Sequence, residues 1–459
     1  MWLLLFFVTL LLGYLTIAYW RSDFSKLEKA ALSFSLGMGE ISLLMFFLGL
    51  LNVPLTAEKV LTSSLALCFL LLIITIFKTG NPFKIKKVKI ERPKVLEIIL
   101  SLVVLFLVFW SFTQTIVWPP WEWDVLALYD FRAKVMAEEH SLATEFLTSQ
   151  PNLTAYNYVY PFSTSLMHTL FYIGGASNPQ FIYTLFYACL MLLLYGCLRR
   201  GVSRLQALTL TALLATTPEI LFPSTIAYPN IPYALYFSFS TIYFWQWLKY
   251  KKTGFLVVSA LFLAISSWIR NSEPFWIVNL LLVIFFLLRE KKVLLTAFYL
   301  IIFLPLQQLW PIYQKHIFSL SKDIFFSPPE PFKFSLTKIP QALFFGTKFF
   351  FKDWLEYIFI LLFSFFLLRK WKKGDRFVLV WLAGYFFLSL AGTYFFAISF
   401  PWWNQIGGSA SRISVFFAPL LLYAISTTWT KTTFIKEYFD KISLFLTVER
   451  KKIKLLRWP

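Results

Sequence analysis

Five ionisable side chains lie close together in the sequence of a chain that is otherwise mostly apolar. They are, in order, Glu122, Asp124, Asp130, Arg132 and Lys134. Ionisable groups are costly beside a lipid bilayer, and they usually mark function there. The Asp124 carboxylate could act as a general base that removes a proton from an acceptor hydroxyl during glycosyl or phosphoryl transfer. Glu122 and Asp124 together could also bind a divalent cation, because paired carboxylates suit hard cations.

Arginine side chains could provide the positive charge that such a transfer needs. A planar guanidinium holds a phosphate through two hydrogen bonds and neutralises charge on a leaving group, which a lysine does less specifically. We identify Arg270 and Arg412 as the candidates for this role, since both lie at the predicted end of an apolar segment, on the same side of the membrane as Asp124. The three histidines are scattered, and their spacing does not favour a zinc site.

The composition places these residues in a membrane protein. Of the 459 residues, 58% are hydrophobic, 20% are aromatic and only 14% are charged, which does not describe a soluble protein. A helix that crosses roughly 30 Å of hydrocarbon needs about 20 apolar residues. The apolar segments that approach this length are 2–20, 31–51, 60–77, 96–117, 181–198, 205–222, 231–248, 254–269, 274–288, 293–310, 354–368, 377–398 and 413–430. We therefore predict an all-α polytopic membrane protein with about 13 transmembrane helices.

The distribution of basic residues predicts the orientation of these helices. The formal net charge is +20, but the basic residues lie in short loops rather than on one folded surface, which argues against nucleic acid as a partner. Most of the 43 Lys and Arg residues fall in alternate loops, at 21–29, 78–94, 199–204, 249–252, 289–292, 369–376 and 431–459. Because cytoplasmic loops are enriched in these residues, we predict a multi-pass plasma-membrane protein with its N-terminus outside, its C-terminus in the cytoplasm and Asp124 on the outer face.

The apolar segments divide the chain into four parts. Residues 1–117 are expected to form four N-terminal transmembrane helices, and residues 118–180 an external catalytic loop with juxtamembrane helices. Residues 181–430 are expected to form a bundle of about nine transmembrane helices with an external loop at 311–353. The basic tail, 431–459, is expected to lie along anionic lipid on the cytoplasmic side.

The loop 118–160 is expected to be a small external subdomain. Its content of Ala, Leu, Lys and Glu predicts a helix over 124–140. A second apolar stretch, 160–175, is too short to be an ordinary span. We interpret it as a juxtamembrane or re-entrant helix that Pro161 begins and Gly174 ends.

Five short motifs resemble those of the GT-C superfamily of integral-membrane glycosyltransferases, in its bacterial protein-mannosyltransferase-like branch. In chain order they are Glu122-Trp-Asp124 with Tyr129 and Phe131-Arg-Ala-Lys134, Tyr160-Pro-Phe162, Ala227-Tyr-Pro-Asn-Ile-Pro232, Trp268-Ile-Arg-Asn-Ser-Glu-Pro274, and Ser411-Arg412 with Pro419. They are similar to the branch's Trp-Asp, Tyr-Pro-Leu, Tyr-Ala-Asp-Leu-Pro, Lys-Asn-Glu-Gly and late Arg-to-Pro elements. Their order along most of the chain is stronger support for the resemblance than any one of them.

The resemblance implies an inverting glycosyltransferase that moves a sugar from a polyprenyl-phosphate carrier in the membrane lipid to a glycan, lipid or protein acceptor on the outer face. Asp124 would be the catalytic base, with Glu122 beside it, and Arg412 would lie near the donor phosphate. The other substrate-binding residues that the motifs imply are Arg270, Lys134, Tyr160, Asn230, Asn271 and Glu273. Two departures from the family pattern affect this set: Asn230 replaces an Asp, and an additional Ser272 separates Asn271 from Glu273.

Two other functions fit a chain with many spans and basic loops. A flippase or transporter of a lipid-linked or anionic solute is the main alternative, although transporters tend to place ionisable residues and broken helices near the middle of the membrane. A non-catalytic membrane scaffold whose acidic loop binds a partner is the third. We favour the enzyme because the notable charges cluster at the ends of spans on one face.

Overall fold

The computed structural model describes residues 1–20, 24–79, 92–149, 157–158, 160–270, 275–320, 336–340, 342–344, 376–399 and 415–429. These residues form helices and connecting loops, without strands, so the predicted all-α class is confirmed. The helices before and within the charged segment are α1 (Trp2–Tyr19), α2 (Lys26–Leu50), α3 (Ala57–Thr79), α4 (Val95–Val117), α5 (Asp130–Glu139), α6 (Glu145–Thr148) and α7 (Ser163–Ile173). Those that follow are α8 (Phe181–Arg199), α9 (Arg204–Thr216), α10 (Pro218–Leu221), α11 (Asn230–Tyr250), α12 (Thr253–Ile269), α13 (Phe275–Arg289), α14 (Val293–Leu320), α15 (Arg376–Ser399) and α16 (Ala418–Trp429).

Several of these helices can cross a membrane. Within the described residues, six are long and apolar enough: Trp2–Tyr19, Lys26–Leu50, Ala57–Lys78, Val95–Val117, Phe181–Arg199 and Val293–Ile317. A bent pair, Arg204–Thr216 with Pro218–Thr225, turns by 70° at its break and brings the number to seven if it is one span. The chain is therefore a polytopic α-helical membrane protein. The total of about 13 spans stays a prediction, since 354–368 lies outside the described residues and several other segments form shorter helices.

The helix α11 lies at the centre of the bundle. All of its side chains from Asn230 to Trp247 are buried, and it packs against α8, α12 and α16. Two of its hydroxyl groups bind neighbouring elements: the Ser238 hydroxyl donates to the Phe416 carbonyl, and the Thr241 hydroxyl donates to the Asn279 side chain at 2.9 Å. Because a helix surrounded by other helices needs no lipid-facing surface, α11 tolerates more polar residues than α4 does.

The helices α1 and α2 approach each other closely at two glycines. A β-carbon added at Gly13 would overlap the Ser33 carbonyl oxygen, and one added at Gly37 would overlap the Thr9 carbonyl oxygen. Small residues at a helix contact allow backbones in a membrane to come this near. The pair α1–α2 is thus fixed by main-chain contact rather than by large side chains.

We expect Gly37→Ala to destabilise the protein by about 1–3 kcal/mol, because the added methyl group must push the two helices apart. Gly392→Ala is the matched control, since a β-carbon there would meet nothing within 4 Å and alanine is the better helix former. The measurement is the melting temperature of both variants in detergent. An unchanged melting temperature for Gly37→Ala would show that the α1–α2 contact is looser than the structure indicates.

Ion pairs and an aromatic contact join the helix ends on one side of the bundle. Glu28, at the start of α2, pairs with Arg200 after α8 at 2.6 Å. Glu97, at the start of α4, pairs with Arg204 at the start of α9 at 3.6 Å. Lys78, near the end of α3, lies over the aromatic rings at the end of α1. We call this end of the bundle the basic side.

Hydrogen bonds join the helix ends on the opposite side, where α5, α6 and α7 lie. The Trp2 amide donates to the Gly174 carbonyl at 2.9 Å, and the Leu55 amide donates to the His140 carbonyl at 2.8 Å. These bonds connect the start of α1 to the end of α7, and the turn between α2 and α3 to the end of α5. We call this end the subdomain side. The described ends of the basic loops 21–29, 78–94 and 199–204 therefore lie at the end of the bundle opposite α5, α6 and α7.

The segment expected to be helical over 124–140 forms α5 and a wide helical turn, Val125–Tyr129, that precedes it. The apolar stretch 160–175 contains α7. The helix α7 begins two residues after Pro161 and ends at Gly174, and Gly175 follows with a φ of 86°. Such a left-handed conformation suits glycine because it has no β-carbon. With 11 residues, α7 is too short for an ordinary span, and most of its side chains are buried between α5 and α2.

Candidate functional site

Asp124 stands at the start of a π-helical turn. The chain leaves α4 at Val117, and residues Val125–Tyr129 then form one wide turn that continues into α5. Asp124 is half-buried, whereas Tyr129, at the other end of the turn, is buried. Isolated π-helical turns occur frequently at functional sites, since they place side chains where a regular helix cannot. We call Val125–Tyr129 the wide turn.

The charges of the candidate site act on the Tyr129 side chain. Burial raises the pKa of the Tyr129 phenol, Arg270 and Arg132 act to lower it, and Tyr160 and Asp124 act to raise it. The rings of Tyr129 and Tyr160 are 6.3 Å apart. The acidic Asp124 and the basic Arg270 thus both act electrostatically on one phenol. Residues that are far apart in the sequence therefore influence one side chain on the subdomain side.

Arg270 is held at the end of α12 by two elements. Its guanidinium donates a hydrogen bond to the Asn230 side-chain oxygen at 2.9 Å and lies 5.6 Å from the centroid of the Phe416 ring. Asn230 is the first residue of α11 and is 2% exposed, and its side-chain nitrogen has no hydrogen-bond partner among the described residues. A fixed guanidinium beside an amide donor is suited to bind a phosphate oxygen.

Glu122 is connected to the same part of α11. Its carboxylate accepts a hydrogen bond from the Tyr228 hydroxyl at 3.2 Å, and Tyr228 precedes Asn230 by two residues. Within the described ranges, no three His, Cys, Asp or Glu side chains are grouped as metal ligands would be. A divalent cation on Glu122 and Asp124 stays a prediction.

Arg132 anchors the loop that carries Tyr160. It is 0% exposed, and its guanidinium donates to the Ser165 hydroxyl at 2.8 Å and to the carbonyl oxygens of Asn157, Tyr160 and Pro161 at 2.5, 2.9 and 2.9 Å. Burial lowers the pKa of Arg132 to about 10, so the group is still charged at neutral pH. These bonds fix the backbone of Tyr160 against α5 and α7.

Lys134 lies at the surface of α5, and its expected role in substrate binding stays a prediction. Its ammonium group pairs with the Asp130 carboxylate at 2.9 Å, one helical turn earlier, and its side chain is 56% exposed. It also lies 5.7 Å from the centroid of the Tyr172 ring. The described contacts of Lys134 are therefore with α5 and α7 rather than with Arg270 and Asn230.

The structure brings together five of the residues that the sequence predicts for the site: Asp124, Glu122, Tyr160, Asn230 and Arg270. Asn271, Glu273 and Arg412 lie outside the described residues, so their expected roles stay predictions. The sequence reasoning missed the anchoring role of Arg132 and the contact of Phe416 with Arg270. The spacing of Asp130 and Lys134, four residues apart on one helix, was the signal for their ion pair.

No family model matches the chain, and comparisons with curated proteins and with solved structures also found no match.

Proposed function

We propose that the protein is a glycosyltransferase that moves a sugar from a polyprenyl-phosphate carrier to a glycan, lipid or protein acceptor. The observation that carries this proposal is the geometry at the start of α11. The Arg270 guanidinium donates to the Asn230 side chain at 2.9 Å, and the Glu122 carboxylate, two residues before Asp124 in the chain, accepts from the Tyr228 hydroxyl at 3.2 Å. A carboxylate and a fixed guanidinium are the two groups that inverting transfer from a phosphate leaving group needs. The resemblance of the motifs to the GT-C superfamily supports the same reaction.

In the proposed reaction, the acceptor hydroxyl attacks the anomeric carbon of the sugar and its proton passes to Asp124. The bond between the anomeric carbon and the phosphate oxygen breaks, and the bonding electrons leave with the polyprenyl phosphate. Arg270 and the Asn230 amide stabilise the negative charge on that phosphate. Glu122 is proposed as a second carboxylate at the site, and Arg412 is proposed near the donor phosphate.

The proposed orientation follows from the two sides of the bundle. Positively charged residues favour cytoplasmic loops, and the loops around Lys78, Arg200 and Arg204 lie on the basic side. The basic side would then face the cytoplasm, and the subdomain side would face the exterior. This orientation gives the site access to a lipid-linked donor from the outer leaflet.

The experiment that tests the proposed function uses purified protein in detergent and a panel of polyprenyl-phosphate sugars. Enzyme activity is detected as release of the free lipid phosphate, with a mixture of hydroxyl acceptors present. Release with at least one sugar, dependent on the protein, would support the proposal. Absence of release across the panel, from protein that elutes as a folded species, would contradict it.

One observation favours the transporter alternative. The bent pair Arg204–Thr216 and Pro218–Thr225 resembles the broken helices that line substrate sites in transporters. Its 3₁₀ turn, Phe222–Thr225, packs against α4 and α8, and the Ser224 hydroxyl lies 2.8 Å from the Ser111 hydroxyl of α4. Protein in vesicles that moves a labelled lipid-linked solute across the bilayer without changing it chemically would favour this alternative over the enzyme.

Arg270→Gln is expected to raise the KM for the lipid-phosphate donor by about 10- to 100-fold, which is the value of one or two hydrogen bonds to a charged group. The change removes the charge but keeps an amide that can still contact Asn230. Arg289→Gln is the control, because Arg289 is an exposed arginine at the end of α13. Steady-state kinetics with varied donor distinguishes the two variants, and an equal KM in both would remove Arg270 from the phosphate site.

A further inference from the structure

A buried carboxylate adjoins the wide turn on the side away from solvent. Asp130 follows Tyr129 directly and is 1% exposed. Its carboxylate accepts hydrogen bonds from His168 Nδ1 at 3.1 Å, from the Tyr172 hydroxyl at 2.5 Å and from Lys134 Nζ at 2.9 Å. Burial alone would raise the pKa of Asp130, but these three donors hold it well below its usual range. Asp130 is therefore ionised and acts only as an acceptor.

His168 connects this carboxylate to the membrane bundle. The imidazole is 0% exposed, and its second nitrogen, Nε2, lies 2.8 Å from the Tyr183 hydroxyl on α8. Because the ionised Asp130 can only accept, Nδ1 carries a proton, and Nε2 can accept the hydroxyl proton of Tyr183. A single chain of hydrogen bonds thus connects α5, α7 and α8.

The helix α7 also holds the backbone at the end of the wide turn. The Ser165 hydroxyl donates to the Tyr129 carbonyl at 2.9 Å, and the Thr169 hydroxyl donates to the Ala133 carbonyl at 3.2 Å. Ser165, His168, Thr169 and Tyr172 have the spacing that places side chains on one face of a helix. That face presents hydrogen-bonding groups to the wide turn and the start of α5.

We propose that His168 is a positioning residue for the proposed transfer, and that it acts through Asp130. By fixing Asp130, which directly follows the wide turn, His168 fixes the turn that Asp124 precedes, and so sets the direction in which the Asp124 carboxylate points. This inference rests on the proposed function for its catalytic consequence. The structural part, that His168 holds the wide turn in place, can be tested without any activity.

Two substitutions separate the two hydrogen bonds of His168. The amide nitrogen of an asparagine lies close to the place of Nδ1, so His168→Asn keeps a donor to Asp130 and loses the bond to Tyr183. The amide of a glutamine reaches further, so His168→Gln keeps a partner for Tyr183 and loses the bond to Asp130. His140→Asn is the control, because His140 is exposed in the same subdomain and has a φ of 51°, which asparagine also adopts.

If His168 acts through Asp130, His168→Gln lowers kcat by at least about tenfold, the value of roughly one such hydrogen bond, with the donor KM unchanged. His168→Asn and His140→Asn keep kcat within about threefold of the unchanged protein. Equal losses of kcat in His168→Asn and His168→Gln would overturn the proposal, because a merely structural role in packing would not distinguish the two hydrogen bonds.

Hydrogen exchange of the backbone amides provides the readout that does not depend on activity. Amides of residues 124–130 are expected to exchange faster in His168→Gln than in His168→Asn, while those of α12 exchange equally in both. Equal exchange of residues 124–130 in the two variants would overturn the inference. If the unchanged protein shows no transfer with any donor, the proposed function fails, and the exchange experiment still decides whether His168 holds the wide turn.

Discussion

Replacing Asp124 with asparagine is expected to reduce sugar transfer by about 10²- to 10⁴-fold, the usual contribution of a general base. Asparagine keeps the shape of the side chain and can still accept a hydrogen bond, but it cannot take a proton from the acceptor hydroxyl. The measurement is the release of free lipid phosphate at saturating donor, compared at equal amounts of monodisperse protein.

The control for this experiment is Glu138→Gln. Glu138 is an exposed carboxylate on α5, so its replacement changes the charge of the same subdomain by the same amount. We expect it to keep full activity. Transfer by Asp124→Asn at the rate of this control would exclude Asp124 as the base and would direct attention to Glu122.

Replacing Arg132 with methionine is expected to have the largest effect on stability. The change leaves the Asn157, Tyr160 and Pro161 carbonyl oxygens without their donor in a buried place, and each such loss costs about 1–3 kcal/mol. We expect a total of at least about 3 kcal/mol, with a lower melting temperature in detergent and faster proteolysis after Tyr160. Methionine fills most of the space, so an empty cavity contributes little.

Two further variants test whether the loss of stability comes from the hydrogen bonds of Arg132. Arg132→Lys keeps the charge but lacks the planar fork, so it should recover only part of the lost stability. Arg289→Met, at an exposed arginine, should leave the melting temperature unchanged. A melting temperature of Arg132→Met equal to that of Arg289→Met would mean that the loop around Tyr160 is held by other contacts.

The sequence predicts the positions of the helices well where a long apolar run determines them. An apolar run of about 20 residues can satisfy its backbone in a membrane only as a helix, and α1, α3 and α4 follow such runs closely. The helix α11 agrees with its predicted segment although it is more polar than these. Its burial on every face depends on the neighbouring helices, which cannot be identified from the residues of α11 itself.

The candidate site is harder to predict, because residue types show which side chains are charged but not which residues they contact. The motifs indicate Asp124, Asn230 and Arg270; Arg270 does bind Asn230, and Asp124 and Arg270 both act on the pKa of Tyr129. Nothing in the sequence indicates the π-helical form of the wide turn, since its residues also suit a regular helix. The burial of Arg132 is equally hidden, because a guanidinium among carbonyl oxygens has no sequence signature.

The contacts of Arg132 have a consequence for how this protein could change its specificity. Three of its four hydrogen-bond partners are main-chain oxygens, which every amino acid provides. The attachment through Arg132 therefore does not depend on which side chains residues 157, 160 and 161 carry, so these side chains can vary through evolution where their own packing allows it. A family built on this scaffold could adapt to new acceptors by exchanging those side chains, without redesigning the anchor beneath them.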